Sequence, residues 1–339
     1  MPLRTPVATS AARARTRPIA WRVAVTMTLA LAAVPILPGV ALASRSGPES
    51  VVVAAAGDIS PADPRLQDDE VAQMIRTRID PDAVLALGDT QYEAGTLAEF
   101  RQYYAAGWGA RDLVRITYPV PGNHEYDVGA GEAADDPASG YFSYFRDRAA
   151  VNPNGVRRRA GFYSFNLGAW HLVALNSKSG NRLPTPQIRW LKHDLARNDK
   201  RCELAFWHHP RWSSGAEHGS DADMQRAWRV AVRGGVDVVL TAHEHVYERF
   251  QRKGENGRPM SNRSRADGAR EFVVGTGGKG GNDGFAAPVP GSQSRLPATG
   301  EASVFGALRM RLQPKGYRFA MLDETGAVLD AGGPVPCHE

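Results

Sequence analysis

Five short runs in this 339-residue chain place possible metal ligands at the ends of apolar, β-prone stretches. They are Gly57-Asp58-Ile59-Ser60, Gly88-Asp89-Thr90-Gln91-Tyr92, Gly122-Asn123-His124-Glu125, Trp207-His208-His209-Pro210 and Ala242-His243-Glu244-His245. In an open α/β sheet the strand ends gather at one edge, so these side chains can converge on one crevice. Carboxylate and amide oxygens mixed with imidazoles suit first-row metals such as Fe, Mn and Zn. A single Asp shared by two ions makes a two-metal site, one way to drive displacement at phosphorus.

Taken singly, each run has an ordinary explanation. A Gly-Asp pair after a strand is usually a turn, and Asn123 suits a turn that tolerates left-handed geometry. Their joint occurrence argues for a site. His243 and His245 are two residues apart on a stretch read as extended, so their side chains leave on one side with Cα atoms about 6.5 Å apart. His208 and His209 are adjacent; in extended geometry only one of them faces the site, and spacing does not say which.

The elements that must hold these residues alternate. Val51–Ala56 and Ala83–Leu87 read as strands, and between them Val71, Ile75 and Ile79 recur at helical spacing within Asp68–Arg78. Strands near Phe162–Leu167, His171–Asn176, Cys202–Trp207 and Val236–Leu240 are separated by helices over Gln187–Ala196 and Asp221–Val232. The tail from Glu271 is strand-rich. Parallel βαβ units followed by antiparallel strands predict one mixed α/β domain with two packed sheets and helices outside. Gly275-Thr276-Gly277-Gly278-Lys279 lacks the spacing of a phosphate loop and reads as a Gly-rich turn. Phe285–Pro297 reads as a mobile Pro/Ser/Gly-rich loop.

Residues 1–43 read as a secretory signal peptide, with five arginines and no acid, the apolar run Val23–Val34, and Ala41-Leu42-Ala43 as a cleavage site. Pro35 and Pro38 cut the apolar stretch short of the roughly 20 residues needed to span a bilayer. Of 41 Lys and Arg, five lie in this segment, leaving 36 against 36 Asp and Glu. The sequence pI of 9.3 therefore carries no nucleic-acid footprint, and the Arg157-Arg158-Arg159 run reads as a solvated loop. Residues 44–339 are expected to be a single secreted, monomeric domain without membrane attachment. Its two cysteines, Cys202 and Cys337, are expected to pair in an oxidising compartment.

The set of runs resembles the calcineurin-like metallophosphoesterase superfamily and, within it, a secreted bacterial type of purple acid phosphatase. The resemblance covers residues 57–249, ending in His243-Glu244-His245-Val246-Tyr247-Glu248-Arg249. It implies a four-layer αββα sandwich of two mixed sheets. It also implies a first ion held by Asp58, Tyr92 and His245, and a second held by Asn123, His208 and His243, with Asp89 bridging. His208 is taken over His209 because the family ligand stands two residues before Pro. Ser60 replaces an imidazole present in many relatives, while Tyr92 supplies a phenol. That exchange implies Fe(III) first, with Zn, Mn or Fe(II) second. Ala242 departs from the Gly usual before His243.

The implied reaction is hydrolysis of a small phosphomonoester by a metal-bound hydroxide attacking phosphorus. His124 and His218 resemble positions that contact the phosphate and protonate the leaving group. Glu125, Glu248 and Arg249 would brace ligands or backbone. Two alternatives stand beside it: a phosphodiesterase acting on cyclic nucleotides or lipid headgroups, and a non-catalytic metal-binding surface protein.

Overall fold

The computed structural model describes residues 50–63, 67–126, 137–150, 160–178, 183–260, 268–281, 284–298 and 302–338. Residues 1–43, expected to be a signal peptide, the Arg157–Arg159 run and most of the Val128–Ser139 loop lie outside these residues.

The strands are β1 (Val51–Ala56), β2 (Ala83–Ala86), β3 (Thr117–Pro119), β4 (Tyr163–Leu167), β5 (Trp170–Ala174), β6 (Cys202–Phe206), β7 (Val238–Thr241), β8 (Tyr247–Lys253), β9 (Ala269–Val274), β10 (Ser292–Leu296), β11 (Gly306–Gln313), β12 (Gly316–Asp323) and β13 (Val328–Pro336). They form two mixed sheets, ordered β13-β12-β11-β1-β2-β3 and β10-β8-β9-β7-β6-β5-β4. In the first sheet β1, β2 and β3 are parallel, and β11 closes antiparallel on β1. In the second, β5, β6, β7 and β9 run parallel, with antiparallel β4 and β8 beside them.

Strand alternation explains the layering. Leu172, Leu204, Phe206, Val238 and Leu240 join Val53, Ala55 and Met310 in one core. The intervening Val173, Ala205, Trp207 and Val239 pack instead with Ile188, Leu191, Trp228 and Ala231, which lie on helices Thr185–Arg197 and Gln225–Arg233. Parallel strands buried on both faces read as continuous apolar runs, and these do. The Asp68–Met74 helix continues as a π turn over Ile75–Ile79 and buries Val71, Ala72, Met74, Ile75 and Ile79. The mixed α/β architecture is the one expected.

Two local expectations are corrected. Phe285–Pro297 is not loop throughout, because Ser292–Leu296 forms β10 and pairs with β8. The turn composition concealed a polar edge strand. The His243–His245 segment is not extended: His243 has φ 74°, and the amide of Val246 returns to the Glu244 carbonyl at 2.6 Å. The Gly275–Lys279 run is the turn after β9, as expected. Its Gly277 and Lys279 amides donate to the carbonyls of Gly57 and Asp58, both at 2.9 Å, so they support the first motif.

Cys202 and Cys337 form a disulfide with Cα atoms 5.5 Å apart. It ties the C-terminal tail to β6, the strand that leads into His208. Among the described residues, no helix is long and apolar enough to cross a membrane.

Candidate metal centre

Each motif begins where a strand stops. β1, β2 and β6 end at Ala56, Ala86 and Phe206, delivering Asp58, Asp89 and His208 to one edge. The turns are tight enough to need unusual backbone. Asp58 (φ 57°), Asp89 (φ 46°) and His243 (φ 74°) lie in the left-handed region, which costs a non-glycine residue about 1–3 kcal/mol. Half of the six such non-glycine residues described are candidate ligands, so the strain concentrates where the chemistry would be.

Seven predicted side chains meet there in two groups. In the first, the Tyr92 hydroxyl donates to Asp58 Oδ1 at 2.8 Å and lies 3.2 Å from His245 Nε2. In the second, His208 Nε2 stands 3.2 Å from both Asn123 Oδ1 and His243 Nδ1. The groups share one atom. Asp89 Oδ2 is 3.3 Å from the Tyr92 hydroxyl and 3.2 Å from His208 Nε2. Asp58 and His208 are fully buried and Asp89 is 2 % exposed.

Ring orientation is fixed from behind. His208 Nδ1 bonds the Leu87 carbonyl at 2.9 Å, and His245 Nδ1 bonds the Gly281 carbonyl at 2.8 Å. Both therefore present Nε2 to the centre, the usual division of labour in ligating imidazoles. Buried Glu125 accepts from the amides of Asp89, Thr90 and Gly122 at 3.0, 2.6 and 2.6 Å, locking the second and third motifs together. Glu248 accepts from Ser214 and Ser292. Arg249 does not serve the site: it pairs with Asp330 on β13 at 2.7 Å.

Electrostatics mark these groups as built for cations. Burial raises the Asp58 pKa despite the offsetting His245 and His208. Burial would raise Asp89 too, but His208 outweighs it and holds that carboxylate well below its usual range. Burial lowers His208, yet the adjacent Asp89 carries it up to about 9. Burial, then Asp58 and Asp89, push Tyr92 far above an ordinary phenol. A phenol so placed ionises only beside a strong positive charge. Two buried carboxylates, a phenol, an amide oxygen and three imidazoles fit a pair of metal ions.

His124 and His218 border the two groups. The His124 amide donates to Asp89 Oδ1 at 2.8 Å, and its ring lies 4.3 Å from that of Tyr92. The His218 ring stacks on His243 at 4.1 Å. Its backbone is held by Glu244 Oε1, which accepts from the amides of His218 and Gly219.

His209, set aside in favour of His208, also lies beside these groups. The strand stops at Phe206, so alternation no longer forces His209 away, and its ring lies 4.4 Å from that of His243. The adjacent His-His pair was the available signal.

The sequence model of the calcineurin-like phosphoesterase family matches residues 52–247, more than half of the chain. Purple acid phosphatase 15 of Arabidopsis thaliana is 29% identical over 199 residues, covering 51% of this chain and 36% of that protein. The Fe(3+)-Zn(2+) purple acid phosphatase 12 of the same plant is 25% identical over 185 residues, covering 50% and 37%. The chain thus spans little more than a third of the length of these relatives. The purple acid phosphatase PPD1 from yellow lupin (Lupinus luteus) seeds shares the fold with a TM-score of 0.63 at 19% identity, over 84% of this chain and 53% of that one. By sequence match over more than half of its length, the chain belongs to the calcineurin-like phosphoesterase family.

Proposed function

We propose that residues 44–339 form a secreted, dinuclear-metal phosphomonoesterase, released from a signal peptide at residues 1–43. The observation that carries this reading is Asp89 Oδ2, standing within 3.3 Å of a donor from each ligand group. Asp58, Asp89, Tyr92 and His245 would hold the first ion, and Asp89, Asn123, His208 and His243 the second. The phenol of Tyr92 suits Fe(III), and the amide and imidazoles of the second group suit Zn, Mn or Fe(II). Two such ions supply an activated water and neutralise charge on the phosphoryl oxygens.

The chain's own residues do the rest. Glu125 keeps the Asp89 and Gly122–Asn123 turns in fixed register, so the ligands need little rearrangement when the reaction begins. His124 and His218 approach from opposite groups, where an imidazole can hold a phosphoryl oxygen and give a proton to the departing alkoxide. His124 Nδ1 lies 2.5 Å from the Glu93 carbonyl; as the donor there, Nδ1 leaves Nε2 for that exchange.

Metal analysis of protein from its native host, with a panel of phosphoesters, tests the reading. Two metal equivalents and faster cleavage of 4-nitrophenyl phosphate than of its bis ester are expected. Asp89→Ala should lose metal and about three orders of magnitude in kcat/KM, the scale of removing a group that organises transition-state charge. Preference for the bis ester would make the protein a phosphodiesterase. Full metal loading with no hydrolysis of any ester would make it a binding protein. A secreted form starting at Met1 would remove the signal peptide.

A further inference from the structure

His209 has no task in the reading above, yet it is fixed more firmly than a rim residue needs to be. One ring nitrogen of each of His208, His209 and His243 lies within 4.8 Å of the others. Ser177, in the loop after β5, grips His209 twice. Its Oγ accepts the His209 amide hydrogen at 3.2 Å and lies 2.7 Å from His209 Nδ1. Trp207 Nε1 holds the His209 carbonyl at 2.9 Å.

Ser177 Oγ, which already accepts the His209 amide hydrogen, has one hydrogen of its own to give, and His209 Nδ1 lies within its reach. A neutral imidazole that accepts at Nδ1 carries its own hydrogen at Nε2. Neither nitrogen then offers a lone pair to a metal ion: Nδ1 is engaged by Ser177, and Nε2 is an N–H donor. An N–H donor beside a cation pair is matched to an anionic oxygen.

We propose that His209 donates Nε2–H to a non-bridging phosphoryl oxygen of the bound ester on the His208/His243 side, with Ser177 as its positioning residue. The proposal rests on the phosphatase reading and adds a phosphate contact to it.

The test uses metal-loaded full-length protein, with metal content and calorimetric affinity for inorganic phosphate measured beside hydrolysis of 4-nitrophenyl phosphate. His209→Ala should keep both metal equivalents and weaken phosphate binding by about 10-fold or more, the range for a hydrogen bond to a charged group. His209→Gln, whose amide nitrogen can reach the Nε2 position, should recover part of that loss. Ser177→Ala should weaken phosphate binding by a smaller factor with metal unchanged. Phosphate affinity unchanged in His209→Ala would overturn the proposal, and so would loss of a metal equivalent, which would make His209 a ligand. An unsubstituted protein that binds no metal would instead sink the phosphatase reading, an outcome visible before any variant is made.

Discussion

The backbone amide of His243 donates to Asp58 Oδ2 at 2.8 Å, joining the first and last motifs of the site across 185 residues of chain. With the Tyr92 hydroxyl on Oδ1, both oxygens of this carboxylate are oriented by the protein. The bond requires the left-handed turn at His243. The strain therefore falls on His243 itself, one residue beyond the position where the family's Gly is replaced by Ala242.

Ala242 consequently carries no left-handed penalty, and its methyl is fully buried against Gly57, where an added Cβ would come within 2.5 Å. Ala242→Gly should leave kcat/KM within twofold while lowering stability by about 1 kcal/mol, through lost burial and a more flexible unfolded chain. Chemical denaturation and steady-state kinetics on the same preparation check both halves. A large activity change would show that the methyl shapes the ligand loop.

Gly122 faces the proposed bridging ligand directly. A Cβ built there would overlap Asp89 Oδ1 and crowd the Asp89 amide. Gly122→Ala should displace that carboxylate and cut kcat/KM by about 100-fold, the scale of a misplacement near 1 Å in a catalytic array. Circular dichroism should stay native-like, and metal titration should show weaker binding. Normal metal affinity in a folded Gly122→Ala protein would mean that Asp89 does not bridge.

Away from the centre, Glu203 offers a pH test. Burial raises its pKa to about 7, opposed by a hydrogen bond from Asn198, and its Oε2 is buried with no hydrogen-bond partner among the described residues. The folded value lies above the unfolded 4.5, so the folded state binds the proton more tightly. This group's contribution to stability is fully present below pH 4.5 and is lost as pH rises towards 7, by about 3 kcal/mol at most. Glu203→Gln removes that slope. Denaturation at pH 4.5, 6 and 8 should show the variant gaining on the wild type as pH rises; parallel curves would contradict the assignment.

Much of this was legible in the sequence because strand endings are marked by composition. Apolar runs such as Val51–Ala56 and Val236–Leu240 stop at Gly-Asp or His, and seven candidate ligands lie together where those runs end. What was not legible depends on tertiary contact. Ser292–Leu296 becomes a strand only because β8 offers it an edge, and its side chains read as loop. Arg249 sits within the last motif but answers to Asp330, 81 residues away. His209 was set aside because alternation, carried past Phe206 where the strand ends, left room for only one of the pair, and the resemblance chose His208.

Tyr92 is expected to be a phenolate ligand to Fe(III), giving the iron-loaded protein a visible charge-transfer band. A buried tyrosine serving only the fold would bond its hydroxyl to backbone, whereas this hydroxyl is set among Asp58, Asp89 and His245 at 2.8, 3.3 and 3.2 Å. Tyr92→Phe keeps the ring and deletes one oxygen. The bond to Asp58 is worth about 1 kcal/mol of stability, so the variant should fold. It should lose the visible band and bind iron more weakly at the first position, while His208, His243 and Asn123 still hold the second metal. Metal analysis, the visible spectrum and a denaturation curve on one preparation separate these effects. A colourless wild type containing iron would remove the phenolate from the coordination set and leave Tyr92 as a hydrogen-bond donor to Asp58.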